Sequence, residues 1–126
     1  MLRKVLIVTG GFMSIIWGIA HLIPTGDVVK GFGNISADNR RIITMEWISE
    51  GLTLIFIGML VQVIAIINKT GNKIFNPVYL IASVMLLAMA VLSLFTGFKI
   101  DFLPFKLCPV IFSISGILIM IGAFIK

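Results

Sequence analysis

The chain has 126 residues, of which 60% are hydrophobic and 12% charged, and it carries a formal net charge of +5. Apolar runs long enough to cross a hydrocarbon core of about 30 Å recur along its whole length, which excludes an ordinary soluble domain. The basic residues are scattered among the ends of those runs and form no stripe or cluster, so the charge implies no nucleic-acid partner, and the partner it does imply is the lipid bilayer.

Four membrane-spanning helices are predicted, at about residues 5–23, 42–67, 77–96 and 109–125. The runs lack the alternation of barrel strands, and backbone groups in lipid must be satisfied internally, so the predicted fold is an all-α integral membrane protein. A single four-helix transmembrane domain over residues 1–126 is expected, in a membrane whose identity the sequence does not give, with both termini on one side. Arg3 and Lys4 before an apolar run imitate a secretory signal, but the run is longer than a signal core, so helix one is expected to be retained.

Pro24 ends helix one and opens the longest connection, residues 24–41, which mixes Val28, Val29, Phe32 and Ile35 with polar groups. This pattern predicts a partly helical or re-entrant segment that covers the mouth of the bundle. Helix two then begins at Ile42. Gly71 supplies the turn to helix three, where Asn76 is expected to cap and Pro77 to occupy the first turn. Pro109 is expected to open helix four in the same way, with Pro104 in the preceding loop. Lys and Arg divide five against five between the two faces, which leaves orientation open and is compatible with antiparallel pairing of copies.

The chemistry concentrates at one end. Charge within a bilayer is costly, so intramembrane ionisable groups are candidate sites by default. Glu46 and Glu50 are one helical turn apart; at 100° per residue Glu50 lies about 40° from Glu46 and Thr53 about 20° to its other side, so one stripe carries two carboxyls and a hydroxyl. His21, the only histidine, is near the end of helix one and therefore at the same membrane level, on a stripe with Gly10, Ser14 and Trp17. Glu50 is about 6 Å deeper than Glu46 and too short to reach the interface easily.

His21, Glu46 and Glu50 are therefore the candidate ligand- or proton-binding residues, with Trp17, Asp27, Asn34, Trp47 and Thr53 as an outer cavity. Trp47 also fits an interfacial anchor. Met85 and Met89 suit a soft apolar wall, and Gln62, about 160° from Glu46 on helix two, faces another surface, as a subunit contact would. The small residues Asn76, Ser83, Ala90 and Gly97, and Cys108, Ser115 and Gly122, recur every seven residues as packing seams. Cys108 is the only cysteine, so no disulfide forms within the chain.

Four functions are compatible with this set. The first is a cavity that binds a small apolar or cationic ligand. The second is a proton-coupled carrier acting as a dimer; in size and helix number the chain is similar to the small multidrug resistance transporters, which work around a membrane carboxylate. Their glutamate is in helix one, and helix one here has none, so the similarity is of architecture only. The third is a metal site on His21, Glu46 and Glu50, a donor set a homodimer would double. The fourth is a structural or accessory subunit contacting a membrane partner. No nucleophile elbow, phosphate loop or dinucleotide motif names a reaction or a cofactor.

Overall fold

The computed structural model describes residues 1–125 and contains helices and turns, with no strand among them. Five α-helices run α1 (Leu2–Leu22), α2 (Thr25–Gly31), α3 (Ala37–Ile67), α4 (Asn76–Phe95) and α5 (Leu103–Phe124), with single 3-10 turns at Lys73–Phe75 and Gly97–Lys99 flanking α4. Counting those turns with α4, four segments are long and apolar enough to cross a membrane, so the chain is a multi-pass membrane protein. Phe12, Ile16, Phe56, Val63, Ile81, Val91, Ile117 and Ile121 are all exposed on the outside of the bundle, where only lipid solvates them well.

Three helix boundaries differ from the sequence expectation. α3 starts at Ala37 instead of Ile42, because Ser36 caps it by accepting from the Asn39 N–H at 3.1 Å and Asp38 sits in the first turn. α5 starts at Leu103, with Pro104 in its first turn, so Pro109 lies inside the helix and does not open it. Pro109 has no N–H to give to the Phe105 carbonyl one turn earlier, and the helix continues past that missing bond. Asn76 is the first residue of α4 and not its cap; its side chain instead accepts from Arg3 Nη2 at 2.6 Å and donates to the Ala123 carbonyl at 2.8 Å, tying three helices together.

The covering segment is the short helix α2, an interfacial cap and not a re-entrant loop. Its Val28 and Val29 are buried, while Phe32 just beyond its end remains largely exposed.

α1 is the central element. It packs along α3 on one side and α5 on the other, α5 packs on α4, and α3 and α4 meet at only a few points. The lateral order is thus α3, α1, α5, α4, a bundle left open between its first and last members.

Small residues set this order. Helices in lipid gain little from apolar burial and associate through close packing and hydrogen bonds. Gly11 faces Gly58 and Gly18 faces Gly51, so closely that a Cβ at Gly58 would lie 2.6 Å from the Gly11 carbonyl oxygen and one at Gly18 2.8 Å from that of Gly51. Ser14 donates to the Leu54 carbonyl at 2.8 Å and Ser115 to the Gly10 carbonyl at 2.6 Å. Gln62 belongs to the same seam: its Nε2 donates to the Val8 carbonyl at 2.8 Å, so it faces α1 and not a subunit contact. Ser83, Ala90, Cys108, Ser115 and Gly122 are buried where the heptad spacing put them.

Candidate functional site

The end of α1 creates the site. The last carbonyls of a helix have no intrahelical partner, and in a membrane protein they must find donors elsewhere. Thr25 Oγ1 donates to the Leu22 carbonyl at 2.6 Å, and Trp47 Nε1 donates to the His21 carbonyl at 2.8 Å. The second bond fixes the indole, which lies flat against the His21 imidazole with ring centroids 3.7 Å apart and planes 17° from parallel. Phe105 meets Trp47 edge-on at 5.2 Å, and Phe102 meets Phe105 in the same way at 5.7 Å. Gly97 makes room for this row, since a Cβ there would be 2.9 Å from the Phe105 ring. Trp47 is therefore a buried wall of the site and not an interfacial anchor.

His21 is only 2% exposed. Its Nε2 lies 3.5 Å from Glu50 Oε2, too long for a strong hydrogen bond, and neither ring nitrogen has a hydrogen-bond partner. A buried imidazole is seldom left in this state, because each unpaired nitrogen forfeits hydration without replacement. Cys108, 1% exposed, completes a cluster in which one donor atom each from His21, Glu50 and Cys108 lie within 4.8 Å of one another. Trp17, half-buried against the core, likewise has a buried indole N–H without a hydrogen-bond partner.

The cluster sits at the inner end of a cleft of about 530 Å³ in the gap between α3 and α4. Glu46, Trp47, Glu50 and Thr53 line it from α3, Met85, Met89 and Ser93 from α4, and Phe105 and Cys108 from α5. Val28 and Phe32 close the end nearest the membrane surface. Ile42, Met85 and Leu92 line the same cleft and are exposed, so its long side faces the bilayer.

The structure places the sequence candidates at different depths. Glu50, whose side chain is 34% exposed, is the inner carboxyl and the one beside His21. Glu46 lines the cleft but is exposed and does not pair with His21. Thr53 donates to the Ser49 carbonyl at 2.7 Å along its own helix and lines the cleft. Asp27 is on the exposed side of α2, 4.0 Å from Lys30, and Asn34 is exposed in the link to α3; neither lines the cleft. Sequence reasoning assigned Cys108 to packing and did not foresee Phe105. The level of Cys108, near the start of the last helix and so at the same face as His21, was the signal that could have found it.

Comparison with family models, with curated proteins and with solved structures finds no match for this chain.

Proposed function

We propose that the cleft binds a small, largely apolar molecule that enters sideways from the bilayer and whose polar or cationic end is held by Glu50 and His21. The observation that carries this reading is the juxtaposition of an apolar, lipid-facing cleft with a partly buried carboxyl and a buried imidazole lacking any hydrogen-bond partner. Pockets for such ligands pair apolar walls with a few convergent polar groups. An amine or hydroxyl would supply the missing partner, and Met85 and Met89 would adapt to the shape of the tail. Native mass spectrometry of the detergent-purified protein tests it: a bound small molecule is expected in the wild type and lost in Glu50→Gln and in the cleft-filling Met89→Trp. A species free of ligand under conditions that retain annular lipid would contradict it.

A second reading is a site for a soft divalent metal on His21, Glu50 and Cys108, a set that replaces Glu46 of the sequence expectation by the thiol. A tetrahedral zinc shell wants donors roughly 3.5 Å apart, and the His21 to Glu50 separation of 3.5 Å fits it. The same spectra distinguish the two: stoichiometric zinc lost in Cys108→Ser favours the metal, whereas an organic ligand indifferent to that change favours the first reading.

A further inference from the structure

The acidic residues are all at one end of the molecule. Asp27, Asp38, Glu46, Glu50 and Asp101 lie at the face of the α1–α3 connection and the α4–α5 turn. The opposite face holds Arg3, Lys4, Lys69 and Lys73 among the described residues and no carboxylate side chain, and every ion pair among those residues is on the acidic face. The equal division of Lys and Arg hides this asymmetry, because carboxylate side chains accompany only one of the two basic sets, where Lys30, Arg41 and Lys106 form ion pairs.

The unneutralised charge converges on a pocket. Between the start of α1 and the α3–α4 turn is a hollow of about 270 Å³ lined by Arg3, Lys4, Asn68, Lys69 and Gly71, with the buried Tyr79 at its base. Arg3 is fixed there: Nη1 donates to the Gly71 carbonyl at 2.7 Å and Nη2 to Asn76 Oδ1 at 2.6 Å. Both acceptors are neutral, so among the described residues the guanidinium is oriented without a carboxylate partner and keeps further N–H groups to donate. Gly71, at φ +71°, permits the turn that brings its carbonyl to Arg3. A held guanidinium flanked by two lysines at a membrane surface matches the chemistry of a phosphate group.

We propose that this pocket binds a phosphate ester, namely the headgroup phosphate of an anionic phospholipid of the leaflet on that side. This pocket shares no lining residue with the cleft at the other end. Bound there, the phosphate would clamp α1 to the α3–α4 turn, adding to the tie that Arg3 and Asn76 already make to α5.

The test uses the full chain in nanodiscs containing phosphatidylglycerol and phosphatidylcholine, with bound lipid counted by native mass spectrometry after release. Lys4→Gln/Lys69→Gln leaves the Arg3 tie intact, and Lys30→Gln/Lys99→Gln is the matched change on the other face. The wild type is expected to retain phosphatidylglycerol over phosphatidylcholine by about tenfold or more, with the preference lost in the first double variant and kept in the second. Glycerol 3-phosphate at millimolar concentration is expected not to displace the lipid; displacement would uphold the phosphate site but make a free phosphate ester its occupant. Equal retention of both lipids by the wild type, or equal loss in both double variants, would overturn the pocket.

Discussion

Trp47 lies flat on the His21 ring while its indole N–H bonds the carbonyl of that same histidine, so one side chain both ends α1 and orients the imidazole. The helix terminus and the candidate site are thereby one construction. Replacing Trp47 by Phe keeps an aromatic face against the imidazole and removes the donor, leaving a carbonyl unsatisfied at the helix end. The expected cost is about 0.6 kcal/mol, the average for hydrogen bonds between membrane helices, and at most about 1.7 kcal/mol. Thermal unfolding in detergent measures it, and a wild-type melting temperature in the variant would show that the bond carries no weight.

The glycine pairs make a second, sharper expectation. Gly58→Ala puts a methyl group 2.6 Å from the Gly11 carbonyl oxygen, a contact that only separation of α1 and α3 relieves. Overpacking of this kind costs about 1–3 kcal/mol. Gly26→Ala has nothing within 4 Å and should melt with the wild type. Melting both variants in one detergent checks the pair.

Cys108 should resist modification. It is 1% exposed, and the little surface it has lines the cleft. A membrane-permeant maleimide is expected to label it at least about tenfold more slowly than a cysteine placed at half-buried Ser93, which also lines the cleft. Occupying the cleft with a long-chain amine should slow both further. Equal rates at the two positions, read by mass shift, would contradict the burial.

In the α4–α5 turn, Asp101 Oδ1 accepts from Lys106 Nζ at the start of α5 at 2.6 Å, and this bond and charge hold the Asp101 carboxyl below its ordinary 3.8. A carboxyl depressed in the folded state contributes above its ordinary value and loses that contribution as pH falls through the lowered one. The α4–α5 turn should therefore keep its ion pair until the pH drops below the usual aspartate range. A carbon-detected titration of Asp101 is expected to show a lowered midpoint in the wild type and the ordinary one in Lys106→Ala.

The spans were legible in the sequence because about 20 apolar residues in a row have few alternatives in water or lipid. Depth was legible too: a helix rises by a fixed step, so His21 and the glutamates could be set at one face before any contact was known. Azimuth was less so. Glu46 and Glu50 share a stripe, yet Trp47 on the adjacent face is what packs on α1, and this turns Glu50 toward His21 and leaves Glu46 at the rim. The early start of α3 was hidden because its first turns, Ala37 to Arg41, are polar and lie where no hydrophobic run marks them. Pro109 looked like a helix start because proline favours first turns; Pro104 took that role, and α5 tolerates the second proline inside. Gln62 found a backbone carbonyl on the neighbouring helix, a partner that no single-helix projection displays.

Under the proposed function, an apolar molecule with a polar head seats in the α3–α4 cleft against Glu50 and His21. The chain has two tryptophans, and Trp47 lines the cleft, so a Trp17→Phe background leaves one reporter inside the proposed site. The most direct measurement is quenching of its fluorescence by a brominated long-chain amine, with the protein in nanodiscs. Saturable quenching is predicted, with an apparent affinity weakened by about tenfold or more, ~1.4 kcal/mol, in Glu50→Gln and little changed in Glu46→Gln. Quenching that rises with amine in the bilayer without saturating, and is the same in all three proteins, would contradict the account.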